Sequence, residues 1–322
     1  MPRRALVALR EQPSVNRVVR RLLRTSVRLG SRLLDAGEHV TQRWPVFGEE
    51  RLSLAGSSFK VFGGEQDQVL SALYYGTEWE SGELRAWARI VFDVGANTGM
   101  YTLLAAASSA AQVWAFEPNP SNLAALRRNV TLNSWDDRVR VEPVAVGASA
   151  GTVDLHLPKA PVSSLVSSVS AAFTAAYSPG IECHTLSTTQ VSLDDVCARE
   201  KCVPDIVKID VESHELEVLM GARQLLSSHR PTMLCEILET DYLLSRHPEL
   251  DAVLDPHHRE KAQKLFDSMG YAAYAVVPTG LARVTSICGV PGNNFLLSGT
   301  RTPEWFIPFD DRTAVARLAR QK

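Results

Sequence analysis

The 322-residue chain has little of several features that would place it in other classes of protein. No apolar run approaches the roughly 18 residues that a membrane-spanning helix needs. Five cysteines without C-x-x-C spacing indicate neither a zinc site nor a disulfide framework, so we expect a cytoplasmic protein. A net charge of −2 provides no overall basic field, and we expect no nucleic-acid partner.

Charge is unevenly distributed, because the first 28 residues are rich in arginine and contain Glu11 as their acid. Apolar residues recur there at roughly helical spacing, which predicts a basic amphipathic helix. We favour a helix that packs on its own domain, since charged faces usually just solvate a helix. The alternative is a contact with an anionic membrane surface or a partner. We predict a helical appendage over 1–50, a main domain over 51–300 and a basic tail over 301–322.

The most informative stretch alternates apolar runs, glycines and acids. A short β-branched run ends at Asp93, and the turn Gly95–Gly99 leads into a small-residue run, Met100–Ala111, that favours a helix. A second apolar run ends at Glu117. Strand, glycine turn, helix, strand and acid in this order predict an open α/β sheet with a nucleotide pocket at the carboxyl ends of its strands.

The turn indicates which nucleotide would bind. A dinucleotide-binding turn has the pattern G-x-G-x-x-G, whereas this turn has Asn97 at the middle glycine. Asp93 directly before the turn would repel a pyrophosphate but suits the cationic end of S-adenosylmethionine. Glu117, near the spacing of roughly 20 residues expected for a ribose-binding acid, would take the ribose hydroxyls. A nicotinamide dehydrogenase is therefore the weakest interpretation.

Hydrophobic patterning predicts the remaining elements. In order, these are a hairpin over Leu52–Phe62, a strand over Val139–Val146, an added strand over Thr152–Leu157, a loop or lid over Ala160–Thr189, a strand over Pro204–Asp210, a helix over Glu215–Leu226, a strand over Pro231–Leu238, a helix over His257–Met269, and an antiparallel pair over Tyr271–Val277 and Asn294–Ser298. Asn119 and Ser192 are predicted helix caps.

A second group of ionisable residues follows the predicted strand Pro204–Asp210. Lys208, Asp210, Glu212 and Glu215 lie around its end, and Glu236 lies at the end of the neighbouring strand. These acids would repel one another unless a cation, a metal or a shared proton offsets them. A salt-bridged surface is the alternative, but ligands of this fold class bind at such strand ends.

The stretches FDVGANTGMYTLLAA, VWAFEPNPSNLAALRRNVTLN, VSLDD, DIVKIDVESHELEVLMGA, RPTMLCEI and NNFLL resemble the FkbM family of S-adenosylmethionine-dependent methyltransferases. The resemblance implies a Rossmann-like class I methyltransferase fold with a seven-stranded, mostly parallel sheet. It also implies methyl transfer to an oxygen atom, with hydroxyls of sugars, glycolipids or polyketide-type natural products as acceptors. The cofactor-binding residues that it implies are Asp93, Gly95, Asn97, Gly99 and Glu117, with Asn119 near the ribose and Glu142 near the adenine.

On the acceptor side we expect Asp210 nearest the reacting centre, with Glu212 beside it. His214 is the candidate base, and a surface histidine on the first turn of a helix is the equal alternative. Asp210, Glu212 and Glu236 could together hold Mg²⁺, which favours oxygen ligands. One residue departs from the family pattern, since Ser213 replaces the glycine of D-x-E-G-x-E. If that position has positive φ, serine costs on the order of 1 kcal/mol there.

Two other classes compete with this interpretation. A methyltransferase acting on a nitrogen or a macromolecule is one, but the Asp/Asn-Pro-Pro-aromatic motif of base N-methyltransferases is absent. The other is a non-catalytic binding module with the same fold, which only the change at Ser213 favours.

Overall fold

The computed structural model describes residues 48–54, 57–63, 88–108, 112–159, 167–177, 181–238, 244–245, 248, 254–277, 280–290 and 294–299. The predicted N-terminal helix and C-terminal tail lie outside these ranges. In chain order the described elements are β1 (Gly48–Leu54), β2 (Ser57–Gly63), β3 (Ile90–Val94), α1 (Met100–Ser108), β4 (Gln112–Phe116), α2 (Pro120–Leu132), β5 (Val139–Glu142), β6 (Ala145–Val146), β7 (Gly151–Pro158), α3 (Ala171–Tyr177), β8 (Cys183–Val191), α4 (Leu193–Glu200), β9 (Ile206–Ile209), α5 (Glu215–Met220), α6 (Arg223–Ser228), β10 (Thr232–Glu236), α7 (His258–Met269), β11 (Ala272–Val277), β12 (Gly280–Val284) and β13 (Asn294–Ser298).

The main sheet has the strand order β12-β11-β13-β10-β9-β3-β4-β5. Strands β10, β9, β3, β4 and β5 are parallel to one another, and β13, β11 and β12 continue the sheet in antiparallel pairings. The predicted α/β class and the antiparallel edge are confirmed. The predicted count of seven strands is too low for this sheet, because β12 pairs with β11 beyond the predicted edge.

Apolar side chains cover both faces of the sheet, which explains the nearly uninterrupted apolar runs of its parallel strands. One face packs Phe92, Phe116 and Val207 against Leu193, Leu219 and Phe266. The opposite face packs Val91, Val113 and Ala115 against Leu103, Leu104 and Leu126. The carboxyl ends of β3, β4 and β9 therefore meet at one edge between two helical layers.

The predicted single helix over Glu215–Leu226 is wrong, since the segment forms α5 and α6 with a break at Gly221 and Ala222. A β-carbon at Gly221 would lie 2.0 Å from the carbonyl oxygen of Gly147. The Gly221 carbonyl also accepts a hydrogen bond from Asp194 N at 2.9 Å. These contacts with distant residues end α5 after six residues.

A second sheet, with the order β6-β8-β7, lies beside the cavity described below. The predicted strand over Val139–Val146 is therefore two strands, because β5 belongs to the main sheet and β6 to the second sheet. The predicted loop over Ala160–Thr189 is wrong for its described parts, which include α3 and most of β8. Strand β8 gains its hydrogen bonds from β7, a long-range pairing that its Ser- and Thr-rich sequence does not reveal.

The predicted hairpin is present as β1 and β2. Phe59 and Val61 are buried. The side chain of Asn133 accepts a hydrogen bond from Lys60 N and donates one to Lys60 O, each at 2.7 Å. The hairpin is thus attached to the end of α2. Among the described helices, none is long and apolar enough to cross a membrane.

Candidate functional site

The glycine turn after β3 is held by backbone contacts from two neighbouring strands. Gly95 N and Ala96 N both donate to Phe116 O at 3.0 Å. Gly95 has φ +74°, and a β-carbon there would lie 1.8 Å from the carbonyl oxygen of Asp210. Gly99 has φ +101°, and a β-carbon there would lie 2.5 Å from Leu126 Cδ1. Both positions therefore require glycine.

Asp93 lies behind this turn and is almost completely buried. Its Oδ2 accepts a hydrogen bond from Thr102 Oγ1 at 2.5 Å, and its Oδ1 lies 3.5 Å from Lys208 Nζ. Asp93 is not among the described residues that line the adjoining cavity. Its carboxylate thus supports the turn from below.

Lys208 is the buried cation that this part of the sequence requires. Its Nζ donates to Gly95 O at 2.9 Å and lies 3.3 Å from Asp210 Oδ2, so it joins the glycine turn to the end of β9. Burial alone would lower the pKa of Lys208, but the charges of Asp210 and Asp93 outweigh it and raise the pKa. The ammonium group remains charged and offsets both acids.

Glu117 ends β4 and lines the cavity. Its Oε2 accepts a hydrogen bond from Asn97 N at 2.7 Å, and its Oε1 accepts one from Asn119 N at 2.8 Å. Burial raises the pKa of Glu117 to about 7, against the lowering effect of these hydrogen bonds. The carboxyl group therefore holds the turn in shape while facing the cavity.

Two amide side chains beside Glu117 have buried oxygens without a hydrogen-bond partner among the described residues. They are Asn97, which has a left-handed backbone with φ +51°, and Asn122 on α2. Both line the cavity. A buried acceptor without a partner is costly, which is typical of a position where a ligand supplies the donor.

The two other predicted cofactor residues lie elsewhere. Asn119 caps α2, as predicted, by accepting a hydrogen bond from Ser121 N at 3.0 Å, and its amide nitrogen donates to Ser167 Oγ at 3.0 Å. Glu142 forms an ion pair with Arg140, with 2.6 Å between Oε1 and Nε. The structure places neither Asn119 nor Glu142 among the described residues that line the cavity.

The predicted acidic group follows β9, which lies on the other side of β3 from the strand that Glu117 ends. Asp210, Glu212 and His214 line the cavity. Burial and the charge of Asp210 raise the pKa of Glu212 well above its usual value. Burial likewise raises the pKa of Glu236, and a hydrogen bond with Asp210 adds to the effect. A hydrogen bond thus joins Glu236 to Asp210, and the Lys208 ammonium group lies 3.3 Å from Asp210 Oδ2.

No group of at least three acidic, histidine or cysteine side chains arranged to hold a metal ion occurs in the part of the chain that the structure describes. Lys208 lies beside Asp93 and Asp210, so a buried cation offsets acids at these strand ends. This is one of the three solutions that the sequence left open.

His214 precedes α5 and has its two ring nitrogens in different surroundings. Nδ1 lies 3.6 Å from Glu217 Oε2, whereas Nε2 is buried without a hydrogen-bond partner among the described residues. Burial lowers the pKa of His214 despite the opposing charges of Glu217 and Glu215. The imidazole is therefore neutral near pH 7 and able to accept a proton.

The loop that carries these groups has an unusual backbone. Glu212 has φ +53° and Ser213 has φ +81°. Two successive left-handed residues other than glycine cost of order 1–3 kcal/mol each. Ser213 therefore has the positive φ at which serine is less favourable than the glycine of the family pattern.

The cavity between these groups is partly open to solvent, and the empty space in it and at its mouth is about 970 Å³. Several residues that line the cavity were not predicted from the sequence, namely Met100, Tyr101, Asn122, Val144, Ala145, Val146, Leu155, Ser167, Ser168 and Val169. The apolar members come from α1, from β6 and the residue before it, from β7 and from the segment before α3. Only their conjunction in space, which no local pattern encodes, identifies them.

A parallel sheet with a glycine turn after one strand and an acid ending the next defines a Rossmann-like domain of the class I methyltransferase type. A family model described as the methyltransferase FkbM domain matches residues 93–271, more than half of the chain. The chain therefore belongs to the FkbM methyltransferase family, which confirms the resemblance found in its sequence.

Among curated proteins, the chain is 31% identical over 142 residues to the hexuronic acid methyltransferase AglP of Haloferax volcanii. The match covers 43% of this chain and 52% of AglP, so the chain spans about half the length of this relative. Solved structures include the methyltransferase FkbM from Methylobacillus flagellatus, with 17% identity, a TM-score of 0.40 and coverage of 72% of this chain and 53% of that chain. An O-methyltransferase from Bacillus cereus has 14% identity, a TM-score of 0.33 and coverage of 65% and 73%, respectively.

Proposed function

We propose that the chain transfers a methyl group from S-adenosylmethionine to a hydroxyl oxygen of a sugar-like small molecule. The observation that carries this proposal is one cavity with two different walls. Glu117 and two unpartnered amide oxygens form one wall, and Asp210, Glu212 and neutral His214 form the other. Such a cavity can hold a polar nucleoside beside a second, hydroxylated molecule.

The first wall fits the methyl donor. Glu117 has lone pairs left to accept the ribose hydroxyls, since its described hydrogen bonds use one position on each oxygen, with a longer contact from Asn122. The oxygens of Asn97 and Asn122 offer further acceptors. Gly95 lets the ligand approach the backbone, while Asp93 and Gly99 keep the turn in position. We assign these residues to donor binding.

When bound, S-adenosylmethionine would supply an electrophilic methyl group together with its own leaving group. The protein then has to hold the acceptor oxygen in line and remove its proton. We assign proton removal to Nε2 of His214, because that nitrogen is unpartnered and the ring is neutral. Asp210 lies closest to the glycine turn and would orient the hydroxyl, and Glu212 would contact the acceptor beside it.

The family and the sugar methyltransferase AglP support a sugar-like acceptor. A metal is not part of the proposal, because the predicted Mg²⁺ ligands Asp210, Glu212 and Glu236 do not form a metal-holding group. A contact of the arginine-rich N-terminus with an anionic membrane surface, or with a lipid-linked acceptor, is supported by its charge pattern alone and remains a prediction.

Calorimetric titration with S-adenosylmethionine and S-adenosylhomocysteine tests the donor site. We expect micromolar binding that is unchanged by chelator and at least about tenfold weaker in Glu117→Ala, because the variant loses the ribose acceptor and the support of the turn. Glu182→Gln, which alters an exposed acid paired with Lys159, is the control. Unchanged affinity in Glu117→Ala would refute the ribose role.

Asp210→Asn tests the acceptor side. We expect loss of methyl transfer to hydroxylated sugars, with donor affinity within about threefold of the parent protein, since the acceptors assigned to the donor, Glu117, Asn97 and Asn122, are unchanged. Single-turnover transfer of a labelled methyl group measures the first quantity and calorimetry the second. Full turnover in this variant would contradict the assignment of Asp210.

A further inference from the structure

The left-handed turn at Glu212 and Ser213 forms hydrogen bonds with two side chains that have no role in the proposed function, Ser168 and Glu215. On one side, Ser168 Oγ donates to the carbonyl oxygen of Glu212 at 2.6 Å. On the other side, Glu215 Oε1 accepts a hydrogen bond from Ser213 N at 3.0 Å. The carbonyl group and the N–H group of the peptide unit between Glu212 and Ser213 are thus each held by a different side chain.

Both supports are buried and anchored in distant elements. Ser168 is 1% exposed; its hydroxyl accepts a hydrogen bond from Ser170 N at 2.9 Å, and its backbone bridges to His156 on β7. Glu215 is also 1% exposed, and its second oxygen lies 3.0 Å from Nε2 of buried His258 on α7. The second sheet, through Ser168, and α7, through His258 and Glu215, therefore both stabilise this turn.

We propose that Ser168, Glu215 and His258 are positioning residues that keep Glu212 and Ser213 left-handed and thereby hold Asp210 and His214 against the cavity. The proposal rests on the proposed function in so far as those two residues serve the acceptor. A strained backbone persists only where its surroundings determine it. The Ser213 side chain contributes no hydrogen bond to this, because its buried hydroxyl has no partner among the described residues.

The arrangement explains how this chain tolerates serine where the family pattern has glycine. Glycine adopts positive φ without cost, whereas serine needs external contacts to remain there. Ser168 also continues a connection to the donor side, because its neighbour Ser167 accepts a hydrogen bond from Asn119, which itself donates to Glu117. These hydrogen bonds thus connect the turn at Glu212 and Ser213 to the residues that we assign to donor binding.

Hydrogen exchange of the donor-free protein tests the proposal without any turnover. In Ser168→Ala and His258→Leu we expect the amides of 211–214 to exchange at least about tenfold faster, while β3 and β4 remain unchanged. Ser187→Ala, an exposed serine of β8, and His257→Leu, the exposed neighbour of His258, are matched controls in which the rates should not change. Parent rates at 211–214 in both test variants would overturn the proposal.

Kinetics and a rescue variant separate positioning from general stability. We expect kcat/KM for the acceptor to fall at least about tenfold in both variants, with donor affinity within about threefold. Adding Ser213→Gly to Ser168→Ala should restore part of the loss, because glycine keeps the turn without support. An equal loss of donor affinity, or no rescue, would indicate a merely structural role and overturn the proposal. If the parent protein neither binds nor uses the donor, the proposed function fails, and hydrogen exchange still decides this inference.

Discussion

Glu117 shows how one carboxyl group can be placed at a ligand wall and still stabilise the turn that forms it. One of its oxygens accepts a hydrogen bond from Asn97 N in the glycine turn, the other accepts one from Asn119 N before α2, and its burial opposes ionisation. The result is a pKa of about 7, well above the usual value of 4.5. Near neutral pH the group is therefore divided between its protonated and ionised forms in the donor-free protein.

This raised pKa predicts a pH dependence of stability. A carboxyl group whose pKa is higher in the folded protein binds its proton more tightly there, so it stabilises the fold at low pH. That contribution is lost as the pH rises from about 4.5 to about 7, and it amounts to about 3 kcal/mol at most. In Glu117→Gln, which cannot ionise, this part of the loss should disappear.

Urea unfolding at pH 5 and pH 8 measures the effect. Glu117→Gln loses an acceptor for a backbone N–H at every pH, so the informative quantity is the difference in unfolding free energy between variant and parent. That difference should move in favour of the variant at the higher pH. The same difference at both values would contradict the burial argument, and Glu182→Gln controls for surface charge.

At the scale of elements, Asp194 explains how α6 can begin immediately after α5 ends. The Asp194 carboxylate accepts hydrogen bonds from Gln224 N at 2.9 Å and Leu225 N at 2.8 Å. These are N–H groups of the first turn of α6, which have no partner within that helix. A side chain of α4 therefore caps a helix that its own sequence leaves uncapped.

We expect Asp194→Ala to lower the free energy of unfolding by about 1–3 kcal/mol, because it leaves two N–H groups without their charged acceptor. Asp194→Asn keeps one acceptor oxygen and should lose less. Urea unfolding gives the free energies, and hydrogen exchange should place the increased opening at 223–226. Parent stability in both variants would show that water replaces the carboxylate at no cost.

The same region shows which parts of the fold the sequence can and cannot predict. The strands that end in Asp93, Glu117 and Asp210 were predictable, because apolar runs and local turn chemistry determine them. The break at Gly221 was not, since it results from contact with Gly147 in another part of the chain. Likewise, β8 acquires its partner β7 through long-range pairing, and its own sequence carries only a weak pattern.

The candidate site divides in the same way. Gly95, Asn97, Glu117, Asp210, Glu212 and His214 were predicted and do line one cavity. Asp93 was predicted to face the ligand but lies behind the turn, because Lys208 and Thr102 draw it into the interior. Glu142 was placed on the correct strand, but pairing with Arg140 turns it away. Asn122 and Ser168 depend on distant segments and left no local signal.

At the scale of the whole molecule, Arg259 joins the helical layer to the antiparallel edge of the sheet. It is 6% exposed, and its guanidinium group donates to Ile237 O at 2.9 Å and to Val290 O at 2.6 Å. Further bonds reach Leu238 O and Ile287 O, and the guanidinium carbon lies 5.2 Å from the centroid of the Phe295 ring. One side chain thus ties α7 to the segment after β10 and to the approach to β13.

The planar guanidinium group carries five donors in a fixed geometry, and lysine cannot replace it with one ammonium group. We expect Arg259→Lys to lower the free energy of unfolding by about 2–4 kcal/mol, since several buried carbonyl groups lose their donors. Arg259→Met should lose at least as much, because it removes every donor. Arg223→Lys, on the exposed side of α6, should change stability by less than about 0.5 kcal/mol.

Urea unfolding of the four proteins decides between this account and simple packing of the arginine stem. If the aliphatic stem provided the stability, Arg259→Met would resemble the parent protein and Arg259→Lys would lie close to it. If the hydrogen bonds provide it, both variants fall and the amides near 287–290 exchange faster. Because Ile237 directly follows Glu236, loss of Arg259 should also loosen the strand end at which Glu236 is hydrogen-bonded to Asp210. Acceptor turnover should then fall before donor binding does.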